Sequence, residues 1–228
     1  MTWIKICGTT NLEDALLASR AGADAVGFVF AESRRRIEPK LAAEIVAQLP
    51  AAIEKVGVFA NERAARIRAI VKQAALTAVQ LHGDETTELA EQLFPEKDEP
   101  RPRLYRALSL KTMFSSANAA EQLRAQRTKP IFDALLVDSG SPRGGGTGLT
   151  FDWDRAQPFI VGLKKMGKVI VAGGLTPDNV VRAIQMFRPW GVDVATGVES
   201  EPGKKDPQRV AAFVNAVRSV DSAHKFGT

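Results

Sequence analysis

The stretch KVIVAGGLTPDNVVRAIQMFRPWGVDVATG, residues 168–197, contains the repeating unit that decides the fold. It begins with a short β-branched run, continues through Gly173-Gly174 into a segment of helical period, and ends in a second short apolar run. Thr176-Pro177 places a capping hydroxyl before a proline, which is typical of a helix start. A strand, a helix and a further strand in this order predict a βα unit of a parallel sheet.

The same unit recurs along the whole chain. Predicted strands cover residues 3–7, 25–30, 55–59, 78–81, 103–107, 134–138, 168–172 and 192–194. Amphipathic helices are predicted between them, and Pro39 and Pro207 open two of these helices. Right-handed βα repeats can close into a barrel or lie open as a doubly wound sheet. Eight units without a break favour an α/β fold with one domain over residues 1–228, a (βα)8 or TIM barrel.

The composition is that of an ordinary globular protein. Of 228 residues, 45% are hydrophobic and 25% charged, with one cysteine and two histidines, which excludes disordered and disulfide-rich classes and leaves little for a zinc site. We see no apolar signal segment and no apolar run of the ~20 residues that cross a bilayer, so we expect a cytoplasmic protein without a membrane partner. The formal charge is +5. Because Lys and Arg are scattered apart from residues 34–36, we expect no nucleic acid partner, whereas anionic substrates stay open.

The C-terminal ends of the strands are where a (βα)8 barrel carries its reacting groups. Cys7 ends the first strand, directly before Gly8, and Asp138 ends the sixth. A lone cysteine is often a small buried hydrophobe, and an acid after an apolar run can be a helix N-cap. Position alone therefore leaves both a structural and a chemical role open for each residue.

Glycines after the last two strands predict a phosphate site. Gly173, Gly174 and Gly197 lack side chains, so backbone N–H groups can approach a ligand, and a short helix is expected to begin near Gly197-Val198-Glu199. The alternative is that these glycines only turn the chain. Residues 144–148, GGGTG, predict either a mobile lid or a plain linker. Neither a P-loop ending nor a GxGxxG motif is present, so we expect no nucleotide cofactor.

Ordered motifs run from the first strand to the final helix. They include Lys5-Ile6-Cys7-Gly8, Gly27-Phe28-Val29-Phe30, Ser33 with Arg35, Gln80-Leu81-His82-Gly83, Asp138-Ser139, Ala172-Gly173-Gly174-Leu175, and Asp193 with Gly197-Val198-Glu199. Together they resemble the phosphoribosylanthranilate isomerase family. The resemblance implies a cofactor-independent and metal-independent Amadori rearrangement in tryptophan biosynthesis, from N-(5-phosphoribosyl)anthranilate to 1-(2-carboxyphenylamino)-1-deoxyribulose 5-phosphate.

The resemblance also implies a role for particular residues. Asp138 corresponds to the acid that protonates the furanose oxygen, and Cys7 to the base that removes the C2 proton. Arg35 corresponds to the arginine that grips the anthranilate carboxylate, a bidentate task suited to guanidinium, whereas Arg34 and Arg36 are expected in a solvated patch. The other expected substrate-binding residues are His82, Gly173, Gly174, Gly197, Val198 and Glu199.

These roles require an unusual distribution of protons. At ordinary pKa values of ~8.5 for Cys and ~3.9 for Asp, neutral pH gives a thiol and a carboxylate, the reverse of a base and an acid. Inverting that order through ~4.6 pK units requires roughly 6 kcal/mol. Cys7 therefore needs a nearby positive charge or N–H donors. Lys5, two residues earlier, is expected one layer lower in the barrel and hence to be a poor source of that charge.

Two other functions stay open at this point. One is a related phosphosugar barrel, the histidine-pathway aminoaldose isomerase, which typically has aspartate where Cys7 stands. The other is a phosphate-binding barrel without catalytic activity. In each case we expect a monomer or a homodimer.

Overall fold

A computed structural model describes residues 1–94, 101–110, 131–138 and 152–226, with side chains as far as residue 223. Eight parallel strands close into a barrel in chain order, and β8 pairs with β1. The strands are β1 Trp3–Cys7, β2 Ala25–Val29, β3 Glu54–Phe59, β4 Ala78–Leu81, β5 Arg103–Ser109, β6 Ala134–Asp138, β7 Lys168–Val171 and β8 Gly191–Val194. The predicted closed barrel is confirmed, and all eight predicted strands are present with ends that differ by at most two residues.

Helices follow the strands and cover the barrel. Those described are α1 Leu12–Ala21, α2 Pro39–Val46, α3 Ala64–Gln73, α4 Thr87–Leu93, α5 Trp153–Lys164, α6 Val180–Phe187 and α7 Pro207–Phe226. Pro39 and Pro207 open α2 and α7 as predicted. The predicted helix start at Thr176-Pro177 is wrong. The Thr176 N–H donates to Asn179 Oδ1 at 2.8 Å, which holds a turn, and α6 begins only after it.

Successive side chains of each strand point in opposite directions, one into the barrel interior and the next into the layer under the helices. On β1, Ile4 and Ile6 belong to the large apolar cluster beneath the helices, whereas Trp3 packs with the interior residues of the other strands. The Trp3 ring meets Tyr105 edge to face at a centroid distance of 5.8 Å. These two aromatic rings fill the N-terminal end of the interior, so open space is left at the opposite end.

A short 3₁₀ helix at Thr196–Val198 follows β8, close to where the sequence analysis expected a short helix to begin. A hairpin that was not predicted comes next, with strand β9 at Glu199–Glu201 and strand β10 at Lys204–Lys205. The hairpin returns the chain to the end of β1, where the Lys205 ammonium donates to the carbonyl oxygen of Cys7 at 2.6 Å.

The glycine-rich segment 144–148, predicted as a lid or a linker, lies outside the described residues. Among the helices that the structure describes, none is both long and apolar enough to span a membrane.

Candidate active site

A pocket opens among the C-terminal ends of the strands. It encloses about 910 Å³, including its open mouth, which is room for a ligand with a sugar ring and an aromatic ring. Its wall contains seven of the nine site residues predicted from sequence: Cys7, Arg35, His82, Asp138, Gly173, Gly174 and Gly197. Barrel closure thus brings together residues that lie up to 190 positions apart in the chain.

Cys7 lies at the end of β1 with 8% of its surface exposed. Burial raises the pKa of its thiol above the ordinary value, and the charge of Asp193 acts in the same direction. The cations Lys5, Lys205 and Arg35 oppose this increase without overcoming it. At neutral pH and without substrate, Cys7 is therefore mainly a thiol and not a thiolate.

Lys5 lies beside Cys7, and its charge is the strongest of those that lower the pKa of the thiol, so the prediction that it is a poor source of charge is wrong. Its ammonium lies 3.1 Å from Asp193 Oδ2. Gly27 on β2 makes room for this arrangement, since a Cβ atom there would lie 2.7 Å from Cys7 Sγ and 3.2 Å from Lys5 Cε. The backbone of Lys5 is one layer below Cys7, but its four-carbon side chain spans that layer.

Asp193 on β8 is the negative partner of Lys5. The two residues are opposite each other in the β1–β8 ladder, and Asp193 is 8% exposed. Burial raises the pKa of its carboxyl, while the Lys5 charge lowers it. Asp193 Oδ1 has no hydrogen-bond partner among the described residues, although Asp193 forms part of the pocket wall.

His82 connects the end of β4 to the end of β6. Its Nδ1 lies 2.8 Å from Gln80 Nε2, and its Nε2 lies 3.5 Å from Asp138 Oδ2. Asp138 is 7% exposed and belongs to the pocket wall. The structure therefore places a buried carboxyl and an imidazole side by side in the pocket.

Arg35 is the inward member of the arginine run. It is 9% exposed, whereas Arg34 and Arg36 are exposed, as expected of a solvated patch. Its Nε donates to Glu199 Oε1 at 2.8 Å, and its Nη2 donates to Glu199 Oε2 at 2.6 Å and to Thr196 Oγ1 at 3.0 Å. One bidentate edge of the guanidinium is thus already occupied, and only Nη1 has no acceptor in the described part of the chain.

Glu199 also binds Lys205, whose ammonium lies 2.8 Å from Glu199 Oε1. Burial opposes ionisation of the carboxyl, but hydrogen bonds and charge from Arg35 and Lys205 together hold the pKa of Glu199 below its ordinary value. The carboxylate therefore fixes the position of Arg35 at the pocket wall.

The glycines after β7 and β8 lie against each other. Gly173 and Gly174 have φ angles of 82° and 69°, which favour glycine, and no described acceptor takes either N–H. A Cβ atom on Gly197 would lie 1.9 Å from the carbonyl oxygen of Leu175. Only glycine allows so close an approach, and the two predicted glycine sites consequently form one part of the pocket.

Val198 and Glu199 lie outside the pocket wall. Both were predicted to bind substrate from the start of a short helix, and that role stays a prediction. The Val198 N–H donates to Ala195 O at 3.3 Å and the Glu199 N–H donates to Thr196 O, because the segment is a 3₁₀ turn that uses these groups internally. The Glu199 side chain binds Arg35 and Lys205 instead.

Sequence reasoning missed several polar residues of this site. Lys5, Gln80, Asp193 and Lys205 belong to the motifs that carry the family resemblance but received no catalytic or binding role. A charged side chain in the middle of a buried strand was the available signal at Lys5 and Asp193. Among the described residues, no group of three His, Cys, Asp or Glu side chains is placed to hold a metal ion.

A closed barrel with a pocket of polar side chains at its strand ends defines this protein as a (βα)8-barrel enzyme. The family model for N-(5′-phosphoribosyl)anthranilate (PRA) isomerase matches residues 4–216. The chain belongs to this family and is an isomerase of tryptophan biosynthesis.

Similar proteins agree with that family. The N-(5′-phosphoribosyl)anthranilate isomerase of Geotalea uraniireducens is 43% identical over 222 residues, which are 96% of this chain and 100% of the relative. The crystal structure of phosphoribosyl anthranilate isomerase from Thermotoga maritima has a TM-score of 0.81 and 38% identity, with 96% of this chain and 100% of that chain covered. A second isomerase structure, in complex with reduced 1-(o-carboxyphenylamino)-1-deoxyribulose 5-phosphate, has a TM-score of 0.78, 37% identity and the same coverage.

Proposed function

We propose that this chain converts N-(5-phosphoribosyl)anthranilate into 1-(2-carboxyphenylamino)-1-deoxyribulose 5-phosphate, with Asp138 as the general acid and Cys7 as the general base. The observation that supports this most directly is that both side chains, from β1 and β6, belong to the wall of one pocket. In the barrel β7 and β8 separate these two strands on the shorter side, so a substrate can lie between them.

Each proton has a defined place in this mechanism. The Asp138 carboxyl gives its proton to the furanose oxygen, and the C1–O bond breaks as the nitrogen lone pair forms a C1–N double bond. The Cys7 thiolate then removes the C2 proton, which gives an enolamine. Loss of the C2 hydroxyl proton and gain of a proton at C1 produce the ketone. Asp138 loses one proton and Cys7 gains one, and exchange with solvent restores both groups.

The protonation of Cys7 determines how much enzyme is reactive. Because burial raises the pKa of the thiol, the thiolate is a minor form at neutral pH and only a fraction of the molecules has the required pair. The rate should therefore be limited by the small share of molecules in which Cys7 is ionised while Asp138 still holds its proton.

The phosphate and the carboxylate of the substrate are each expected in a different part of the pocket. The phosphate is expected at the N–H groups of Gly173 and Gly174, which have no acceptor among the described residues, next to Gly197. The anthranilate carboxylate is expected near Arg35, where Nη1 is available while Glu199 holds the other edge. A crystal grown in sulfate should show an anion at the glycines, and anions confined to residues 34–36 would contradict the phosphate assignment.

Substitution of Cys7 and Asp138 tests the two roles. Cys7→Ala and Asp138→Asn should each lower kcat at least ~100-fold, with the fold retained by circular dichroism and thermal unfolding. Asp133→Asn is a matched control, because Asp133 precedes the same strand at its other end and binds Arg101 and the Leu104 N–H. Near wild-type turnover in folded Cys7→Ala would exclude Cys7 as the base, and the same result in folded Asp138→Asn would exclude Asp138 as the acid. Absence of turnover in the wild type would favour a phosphate-binding barrel instead.

Some expectations from sequence stay predictions. These are catalysis without a cofactor or metal, a cytoplasmic location, the absence of a nucleic acid partner, and a monomeric or homodimeric state. Turnover after treatment with a chelator and light scattering of the purified protein would test the first and the last.

A further inference from the structure

A chain of polar side chains runs along the wall of the pocket from Cys7 to Asp138. The Lys5 side chain lies beside Cys7, where both border Gly27, and its ammonium donates to Gln80 Oε1. Gln80 Nε2 lies 2.8 Å from His82 Nδ1, and His82 Nε2 lies 3.5 Å from Asp138 Oδ2. Lys5 and Gln80 are each 1% exposed, so the contact between them is shielded from water, whereas His82 and Asp138 border the pocket.

The chemistry of the donors fixes the direction of every contact in this chain. An ammonium only donates hydrogen bonds, so the oxygen of the Gln80 amide must face Lys5 and its NH₂ must face His82. An amide NH₂ also only donates, so the Nδ1 atom of His82 must accept. A neutral imidazole then carries its proton on Nε2, the atom that faces Asp138.

We propose that Lys5 is a positioning residue of this site: its ammonium supports the Cys7 thiolate and, through Gln80, holds His82 with its Nε2–H toward Asp138. The proposal rests on the proposed function for the roles of Cys7 and Asp138. Lys5 is not part of the pocket wall and acts through Cys7 and His82.

Four charged groups face the Cys7 side chain, one from each neighbouring part of the structure. They are Lys5 on β1, Asp193 on β8, Lys205 on β10 and Arg35 in the loop after β2. Lys205 binds the Cys7 carbonyl oxygen and Glu199, and Arg35 binds Glu199. Lys5 is the cation whose charge acts most strongly on the thiol, and Asp193 holds its ammonium at 3.1 Å.

Alkylation of the thiol tests the first part of the proposal. Because the chain has a single cysteine, the pH dependence of its reaction with iodoacetamide, followed by mass spectrometry, reports Cys7 alone. Lys5→Met should move the midpoint of this profile upward by about one pH unit or more, which is a tenfold loss of thiolate below the midpoint. Lys5→Arg keeps a positive charge, so its midpoint should lie close to that of the wild type. Lys55→Met is the matched control, since Lys55 is also buried but binds the carbonyl oxygens of Pro50 and Ala51.

The tautomer of His82 tests the second part. In protein labelled with ¹⁵N-histidine and carrying His224→Gln, one imidazole remains, and its ¹⁵N shifts identify the protonated nitrogen. We expect the Nε2–H form in the parent protein and a mixture of tautomers in both Lys5→Met and Gln80→Leu. Gln80→Leu should leave the alkylation midpoint unchanged, because it keeps the ammonium beside Cys7.

Removing Lys5 alone leaves Asp193 buried without its partner, which can prevent folding. In that event Lys5→Met is compared in the Asp193→Asn background with Asp193→Asn itself, and the midpoint should again lie higher without the ammonium. An unchanged midpoint in either background, or an Nδ1–H tautomer in the parent protein, would overturn the proposal. Neither measurement uses substrate, so failure of the wild type to turn over phosphoribosylanthranilate would contradict the proposed function separately.

Discussion

Replacement of Glu199 by glutamine should destabilise this protein far more than the same change two residues later. Glu199 is 5% exposed and accepts hydrogen bonds from Arg35 at 2.6 to 3.1 Å and from Lys205 at 2.8 Å. Lys205 is 3% exposed. Glutamine preserves the shape of the side chain but removes the charge and turns an NH₂ group toward one of the two cations, which leaves buried positive charge without compensation.

The expected loss of folding stability follows from the broken ion pairs. Breaking a buried ion pair by removing one partner costs about 3 to 5 kcal/mol, and for a chain of this length about 2 to 4 °C of melting temperature accompany each kcal/mol. We therefore expect Glu199→Gln to lower Tm by about 6 to 20 °C. Glu201→Gln is the matched control on the same strand. Glu201 pairs with Lys204 at 3.7 Å with more than 60% of both side chains exposed, so its loss should cost about 0.5 kcal/mol or less.

The pH dependence gives a second, independent readout. Arg35 and Lys205 outweigh burial and hold the pKa of Glu199 below its ordinary value, so its contribution to stability is present above the unfolded pKa of ~4.3 and is lost as pH falls through the lower folded value. Urea unfolding of wild type and Glu199→Gln should therefore give free energies that differ at pH 7 and converge in strong acid. A difference that persists unchanged at pH 3, or a loss in Glu199→Gln no larger than that in Glu201→Gln, would refute this reasoning.

Arg35→Ala should raise KM about 10- to 100-fold, because a buried charge-assisted contact is worth ~1.5 to 3 kcal/mol, whereas Arg34→Ala and Arg36→Ala should change KM less than about twofold. Steady-state kinetics on the three variants measure this, and equal effects would indicate a general electrostatic attraction instead. Gly197→Ala should raise KM and weaken sulfate binding, since its Cβ would lie 1.9 Å from a carbonyl oxygen of the β7 loop and must push the two loops apart. Gly162→Ala is the control, because a Cβ there meets nothing within 4 Å and the change should stabilise α5 by up to ~1 kcal/mol in thermal unfolding. Unaltered sulfate affinity in Gly197→Ala would exclude this loop from the phosphate site.

Short-range pattern was sufficient to predict the barrel and the residues at its rim. Strands and helices differ in the spacing of apolar side chains, which is readable within about ten residues, and eight βα units in succession have few ways to pack. The same order of strands places Cys7, Asp138 and the glycine pair at one end, because the C-terminal ends of parallel strands meet at the same edge. Arg35 was distinguished from Arg34 and Arg36 through the family resemblance, and the structure confirms that it is the buried member of the run.

The pattern failed where the chain departs from a regular unit. Thr176-Pro177 carries a helix-start signal, but Asn179 accepts the Thr176 N–H and delays the helix. The hairpin after β8 contains too few residues to show a period, and so its effect on Glu199 and Lys205 could not be read locally.

The sequence by itself thus determined the class of fold, the edge that carries the chemistry and the residue types available there. Only the tertiary structure decided which charges meet. Lys5 and Gln80 are 75 positions apart, Arg35 and Glu199 are 164 apart, and Cys7 and Lys205 are 198 apart. Such contacts depend on the register in which β1 closes against β8 and on how far a long side chain reaches between layers. Neither quantity leaves a trace in the local spacing of residues, because both are fixed only when the whole barrel is packed.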